Sequence, residues 1–167
     1  MSDYSSEAGD PVTTDAVLDR AQVEALIPHA GVMCLLDAVQ TWRDDHICCL
    51  AHSHRDPANP LRDADVLPVV AGIEYAAQAM AVHGGLIGRN DGVPRIGYLA
   101  VLNDVRWQVA RLDNQGETLL VEARVEQSLT DSRSYSFQLR SVDDAGTGEV
   151  LLSGTALVVL ESSEAAS

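Results

Sequence analysis

The sequence predicts an α+β fold in which one antiparallel sheet wraps around a single long central helix. Residues 66–87 form one long apolar segment, which is typical of a buried helix. Two short strand-like segments precede it, and four longer segments with alternating apolar and polar residues follow it. A sheet of this order buries one face, and the long helix is the element that can cover it.

Short elements are predicted before the central helix. Residues 19–26 have the pattern of a short amphipathic helix, which Pro28 ends. Residues 34–42 and 46–54 are two strand-like segments joined by a polar turn at residues 43–45, and they predict a hairpin. An irregular loop then leads to the helix.

The central helix is predicted to contain one polar spot. Glu74 and Gln78 lie four residues apart and share a face, whereas His83 points roughly the other way. These polar residues and the lack of a basic flank argue against a transmembrane segment. Pro68 suits the first turn of the helix, and the glycines of residues 84–88 predict its end. Glu74 is predicted to be buried, where a carboxylate is costly unless it is paired or takes part in chemistry.

Four strands are predicted after the helix, at residues 95–109, 117–128, 133–142 and 149–161. Apolar and polar residues alternate in them, and the segments between them are rich in Asp, Asn and Gly, as turns are. Gly154, in the middle of the last strand, predicts a close approach to the helix or a bulge. This order of elements is that of the hotdog architecture.

The length and composition of the chain indicate its domain organisation and exclude some classes of partner. The chain has 167 residues, and we expect one domain at residues 19–161 between disordered tails at 1–18 and 162–167. The net charge of -14 argues against nucleic acid and anionic membranes as partners, since both require a basic face. The three cysteines have no metal-ligand spacing, and no signal peptide is visible. We therefore expect reduced thiols, no metal or other cofactor, and a cytoplasmic protein.

Two motifs carry a resemblance to a known family. The first is Ile27-Pro28-His29 followed by Leu35-Leu36-Asp37 and Val39, and the second is Pro68 followed by Glu74 and Gln78. Together they resemble the β-hydroxyacyl-[acyl carrier protein] dehydratases, which are hotdog enzymes of fatty-acid synthesis. Residues 53–62 and 71–78 look more like a divergent branch found with aryl polyene and xanthomonadin-type pigment clusters.

The resemblance implies a reaction and also shows a departure from the family. It implies elimination of water from 3-hydroxyacyl thioesters held on an acyl carrier protein or coenzyme A, with paired subunits and an acyl tunnel between them. The catalytic histidine of the family lies fourteen residues before the glutamate, and here that position is Pro60. The Pro-Gly at the start of the family's helix is replaced by Pro68-Val69. The motif therefore supports Glu74 but no histidine.

Dehydration needs an acid and a base, which predicts roles for specific residues. Glu74 is the predicted acid, although a paired carboxylate without turnover is the structural alternative. His54 is the predicted base because it ends the second strand and opens the loop before the helix; a solvated loop histidine is the alternative. The remaining histidines are expected to be structural: His29, His46, His52 and His83.

Substrate contacts are predicted around the same spot. Gln78 shares the face of Glu74, and the backbone amides near Val69 and Gly72 could bind a thioester oxygen. An acidic carrier protein requires a local basic patch, because the chain as a whole is acidic. The candidates for that patch are Arg55, Arg62, Arg89 and Arg95.

Assembly and activity leave alternatives open. One sheet covers one side of the helix, so Tyr75 and Met80 are expected to need cover from a second subunit, which predicts an obligate homodimer or heterodimer. Thioester hydrolysis is a second enzyme reading, since hotdog proteins also perform it with a helix carboxylate. A third reading is a subunit without activity of its own that stabilises a homologous dehydratase.

Overall fold

The computed structural model describes residues 17–28, 31–92, 95–146 and 148–162. These residues form a six-stranded antiparallel sheet with the strand order β1-β2-β4-β5-β6-β3. The strands are β1 (Ala38–Arg43), β2 (His46–Ala51), β3 (Arg95–Trp107), β4 (Thr118–Ser128), β5 (Ser132–Val142) and β6 (Val150–Ser162). The helices are α1 (Arg20–Glu24) and the long α2 (Gly72–Asp91). The predicted hotdog fold is confirmed.

Helix α2 follows a 3₁₀ turn at Val69–Ala71 and ends at Gly92, whose φ of 71° is the left-handed conformation of a helix C-cap. The prediction that the helix ends in the glycines of residues 84–88 is wrong. A glycine inside a helix costs only about 1 kcal/mol relative to alanine, which tertiary packing offsets. At Gly85, an added Cβ would lie 3.1 Å from the Leu26 side chain, so the helix packs closely against the chain before β1 and a larger residue would have to displace Leu26.

The sheet places its apolar residues against α2, as the alternation predicts. Tyr135, Phe137 and Leu139 of β5 are all buried on the helix side. Gly154 allows a close approach, but the partner is a neighbouring strand: an added Cβ would lie 2.9 Å from the ring of Phe137. The predicted approach to the helix is wrong, but the alternative of a bulge agrees with a register shift in the pairing of β3 with β6 beside Gly154, between Asn103 and Arg106.

Strands β1 and β2 form the predicted hairpin, paired from Ala38 and Leu50 to Arg43 and His46. Both are shorter than predicted, because residues 34–37 are not a strand and β2 ends at Ala51. Before the predicted start of the domain, Val17 and Leu18 hydrogen-bond to β1 through Val39, and the domain bounds stay a prediction. Residues 1–16 and 163–167 of the predicted tails lie outside the described residues.

The side of α2 that carries Tyr75 is complete within one chain. Tyr75 is 0% and Met80 4% exposed, so the prediction that they need cover from a second subunit is wrong. The loop of residues 53–62 covers Tyr75 and forms hydrogen bonds with its hydroxyl group. The irregular sequence of this loop gives no local signal of its packing against the helix.

Strand β3 lies at the edge of the sheet, and among the described strands it pairs with β6 alone. Ile96 is 62% and Trp107 61% exposed, and Tyr98, Leu99 and Val101 are also exposed. A long apolar edge strand is a template for pairing with another chain. Thus the uncovered apolar surface of the described chain includes β3.

Candidate functional site

A groove of about 850 Å³ runs along α2, between the helix and the helix-facing side of the sheet edge. Its walls are α2 from Glu74 to Asp91, the chain before β1 from Ala25 to Pro28, and β3 from Arg95 to Leu99. The volume is in the range of small-molecule sites, and the lining is mostly apolar with polar groups at the two ends.

Glu74 lies in the first turn of α2 and lines one end of the groove. The side chain of Glu74 is half-buried, so the prediction of a buried carboxylate is wrong. The groove leaves this face of the helix open, which the apolar composition of the helix did not reveal. A negative charge is favourable in the first turn of a helix, because the N-terminal amides carry partial positive charge.

Gln78 links this face of the helix to the chain before β1. Its Oε1 accepts a hydrogen bond from the backbone N–H of Leu35 at 2.9 Å, and its Nε2 donates to the carbonyl of Met33 at 2.9 Å. The same Nε2 lies 3.4 Å from Oε1 of Glu74. Gln78 is therefore placed to orient the Glu74 carboxylate, and its own polar atoms are occupied.

Tyr75, the next residue along α2, has a different environment. Its hydroxyl lies 2.7 Å from Oγ of Ser53 and accepts a hydrogen bond from Nδ2 of Asn59 at 3.0 Å. Ser53 in turn donates to the carbonyl of Leu35 at 2.7 Å. Burial raises the pKa of Tyr75, so its hydroxyl stays protonated at neutral pH. These bonds fix the loop of residues 53–62 on the helix.

The structure places His54, the predicted base, in a 3₁₀ turn at Ser53–Arg55, fully buried. Its Nε2 lies 2.7 Å from the carbonyl oxygen of Gly116, to which it donates, and its Nδ1 is buried without a hydrogen-bond partner. Burial lowers the pKa of His54, which favours the neutral ring. No described residue that lines the groove is a histidine, so a single chain does not bring His54 and Glu74 together there.

The other described histidines occupy three different places. His52 is exposed, and its ring lies between Oδ2 of Asp37 and Oγ1 of Thr118, each at 3.2 Å. His83 is buried, with Nδ1 2.8 Å from the hydroxyl of Tyr135. His46 lies on the far face of the sheet from α2. His29 lies outside the described residues, but Pro28 directly before it lines the groove with Glu74.

The predicted oxyanion donors already have acceptors. The N–H of Val69 donates to the carbonyl of Ala110 at 3.0 Å, and the N–H of Gly72 reaches the carbonyls of Val69 and Val70. Gly72 is also tightly packed, since an added Cβ would lie 2.7 Å from Leu152. This geometry argues against the two amides as ligands of a thioester oxygen.

The predicted basic patch is divided by the structure. Neither Arg55 nor Arg62 lines the groove. Arg55 faces Glu117 at 3.7 Å, and Arg62 donates hydrogen bonds to the carbonyls of Asp65 and His54. Arg95 does line it, at the end far from Glu74, whereas Arg89 does not. The contacts of Arg55 and Arg62 with substrate stay predictions.

Arg133 is a groove residue that the sequence reasoning missed. It lies on β5, on the same side of the strand as the helix-facing residues Tyr135, Phe137 and Leu139. Its guanidinium lies 3.5 Å from the Tyr135 hydroxyl and lines the groove with Arg95. A charged residue at a core-facing position of an alternating strand is a signal visible in the sequence.

The described residues contain neither a metal-binding cluster nor a membrane-spanning helix. Among the described residues, no three His, Cys, Asp or Glu side chains are grouped so as to hold a metal ion. None of the described helices is both long enough and apolar enough to cross a membrane.

Comparison with known proteins places this geometry in a family. A model of the ApeP-like family, described as ApeP dehydratase, matches residues 21–166. The solved dehydratase heterocomplex ApeI:P from Xenorhabdus doucetiae contains a chain that is 24% identical, with a TM-score of 0.72, over 85% of this chain and 92% of that chain. The comparison with curated proteins gave no match.

Thioesterases have a similar fold. A thioesterase family protein from Silicibacter pomeroyi is 14% identical with a TM-score of 0.62, over 83% of this chain and 93% of that one. Thioesterase HI1161 from Haemophilus influenzae is 11% identical with a TM-score of 0.57, over 85% and 90%. These likenesses concern the fold alone.

Proposed function

The chain belongs to the ApeP-like dehydratase family, and on that premise we propose that it eliminates water from 3-hydroxyacyl thioesters. The observation that carries this proposal is the position of Glu74, a carboxylate oriented by Gln78 at one end of a long, mostly apolar groove. An apolar groove with few polar groups suits an acyl thioester.

The reaction assigns each group a task. A base removes the proton on the carbon next to the thioester carbonyl, and an acid protonates the departing hydroxyl, so that water leaves and a carbon–carbon double bond forms. We assign the acid to Glu74, because its carboxyl group faces the groove. Gln78 acts as a positioning residue, since its own polar atoms hold the chain at Met33 and Leu35.

The base is proposed to be a histidine. His54 stays the predicted residue, and the role requires its ring to leave the Gly116 carbonyl, because neither ring nitrogen is exposed in the described conformation. His52 has an accessible ring with Asp37 as orienting carboxylate, which is an arrangement found in general bases. His29, in the amino-terminal motif, is the third candidate. Substitution of each residue decides among them.

The substrate carrier is proposed to be an acyl carrier protein or coenzyme A, in a polyene-pigment or fatty-acid pathway. This proposal is supported by membership of the ApeP-like dehydratase family and by the resemblance of residues 53–62 and 71–78 to the branch found with pigment clusters. Hydrolysis of a thioester remains a weaker alternative, because the thioesterase likenesses carry only the fold.

We propose that the working unit is a dimer, either of this chain or with a second hotdog chain. The apolar edge strand β3 supports this, because pairing would cover Ile96, Tyr98 and Trp107. The solved neighbour named a heterocomplex supports a hotdog partner. An interface of more than about 1,500 Å² is expected for a stable pair.

The test is an assay of 3-hydroxyacyl thioester dehydration by the purified chain, combined with sedimentation at micromolar concentration. We expect a dimer that converts the substrate. A stable monomer without turnover on carrier-protein and coenzyme A thioesters would contradict the proposal.

One observation favours a second candidate, a subunit that acts only with a partner. No described groove residue is a histidine, and the family position of the catalytic histidine is Pro60. A chain that is inactive alone, and that raises the turnover of an added hotdog dehydratase, would support this role. In that complex, Glu74→Gln shows whether the chain contributes its carboxylate.

A further inference from the structure

We propose that Arg133, together with Arg95, binds the phosphate of a phosphopantetheine arm, and that the arm lies in the groove with its thioester at Glu74. This inference rests on the proposed function and specifies how the substrate is oriented. It assigns the charged end of the groove as the mouth through which the carrier's arm enters.

The environment of Arg133 suits an anion. Its side chain is half-buried on the helix-facing side of β5, and the one polar contact of its guanidinium among the described residues is the Tyr135 hydroxyl at 3.5 Å. No described carboxylate lies within ion-pair distance of it. An anion at this place would gain a charge-assisted hydrogen bond, which is stronger than a neutral one.

Helix α2 and Arg95 border the space around the guanidinium. Gly84 of α2 lines the groove, and an added Cβ there would have Nη1 of Arg133 as its nearest neighbour, at 3.9 Å. The guanidinium therefore lies next to the helix at Gly84 and borders the open space of the groove. Arg95 lines the same end and donates to the carbonyl of Thr130. Asp91 also lines it, so the two arginines face one carboxylate and the local charge stays positive.

The length of the phosphopantetheine arm matches the distance from Arg133 to Glu74 along the groove. Glu74 and Gly84 are ten residues apart in α2, which corresponds to about 15 Å along the helix axis. The arm has about twelve bonds between its phosphate oxygen and its sulfur, as many as four residues of extended chain, and therefore spans roughly 14 Å. A phosphate beside Arg133 thus places the thioester close to Glu74.

The opposite orientation is less favourable. If the acyl chain ran from Glu74 toward Arg133, its hydrocarbon end would remove water from two guanidinium groups and a carboxylate without replacing their hydrogen bonds. Burying unpaired charged groups in this way is costly. The charged end of the groove is therefore better matched to the anionic part of the substrate.

The experiment compares thioesters of pantetheine and of 4′-phosphopantetheine, which differ only in the phosphate. We expect the wild-type chain to bind the phosphorylated compound about tenfold more tightly, and Arg133→Gln to remove that preference. Arg89→Gln is the matched control, because it removes the same charge from an exposed residue near the same end that does not line the groove. Binding is measured by calorimetry and, where turnover is present, by kcat/KM.

The outcomes separate this inference from the proposed function. A phosphate preference that depends on Arg133, without turnover, supports the inference and contradicts the enzyme role of the isolated chain. Equal losses for both compounds in Arg133→Gln, or no preference in the wild type, overturn the inference. Coenzyme A and carrier-protein thioesters then identify the source of the phosphate: a preference for the carrier protein that Arg133→Gln removes supports an acyl carrier protein as the source, and a preference for coenzyme A that Arg133→Gln removes supports coenzyme A.

Discussion

Glu74 and Tyr75 are neighbours in the sequence, yet they lie on two sides of α2 that differ in almost every respect. The Tyr75 side is closed by the loop of residues 53–62, and its hydroxyl has partners in Ser53 and Asn59. The Glu74 side faces a groove and an edge strand whose apolar residues are exposed. One side of the helix therefore holds the subunit together, whereas the other leaves an open groove, where we propose that substrate and partner bind.

The largest expected effect is that of Glu74→Gln on the groove side. The amide has nearly the same volume and can still hydrogen-bond, but it cannot donate the proton, so the dehydration rate should fall by about 10²- to 10⁴-fold. The free energy of unfolding should change by less than about 1 kcal/mol. Turnover and chemical denaturation are measured on the same preparation. Unchanged turnover would remove Glu74 from the role of acid.

His54→Asn is the next test, because His54 is near the closed side and is also the predicted base. Loss of a buried hydrogen bond to the Gly116 carbonyl should lower the free energy of unfolding by about 1–3 kcal/mol. The base role requires in addition a rate reduction of about 100-fold or more. Lost stability with a retained rate would make His54 structural, and the same assay on His52→Asn and His29→Asn would then locate the base.

Tyr75→Phe should show the reverse of the result for Glu74. It removes the hydroxyl between Ser53 and Asn59 and leaves the ring packed, so the free energy of unfolding should fall by about 1–2 kcal/mol. The dehydration rate should stay within about threefold of wild type, since the hydroxyl does not line the groove. A large rate loss at unchanged stability would mean that the two sides of the helix are not separate.

The smallest effect concerns pH and the buried histidines. Burial lowers the pKa of His54 and of His83 below the ordinary value of 6.5. The unfolded chain therefore takes up protons first, so stability is complete above about pH 6.5 and decreases as the pH falls, by up to about 1.4 kcal/mol per pH unit for each histidine. His83→Gln should make this decrease less steep in denaturation curves between pH 6.5 and 5. An unaltered slope would show that His83 does not contribute.

The sequence predicted the fold well because each element has a local signal. The period of two in β4, β5 and β6 and the long apolar run of α2 are visible without any long-range information. The end of α2 is predicted too early, because glycines at residues 84–88 weaken a helix locally, whereas in the structure Gly85 packs against Leu26 and the three glycines line the groove. Those two roles depend on residues distant in sequence.

The site was less predictable than the fold. The motif around Glu74 and Gln78 located one end of the groove, since both residues line it. The burial of His54 and the occupied amides of Val69 and Gly72 depend on contacts with residues 110–116 and with the turn itself, which local patterns do not encode. Arg133 lies on the same side of β5 as Tyr135. It was not predicted as a groove residue, because the alternating pattern identifies core-facing positions by their apolar residues.

The unpaired edge of β3 has a consequence for how such a subunit is produced. Thirteen residues of strand with exposed Ile96, Tyr98 and Trp107 would bind chaperones or aggregate if the chain were made without its partner. If the partner is the proposed second hotdog chain, we expect the yield of folded protein to depend on the ratio in which the two chains are synthesised, and an excess of either to be removed by proteolysis. Supply of the partner would then set the cellular amount of this protein as well as its activity.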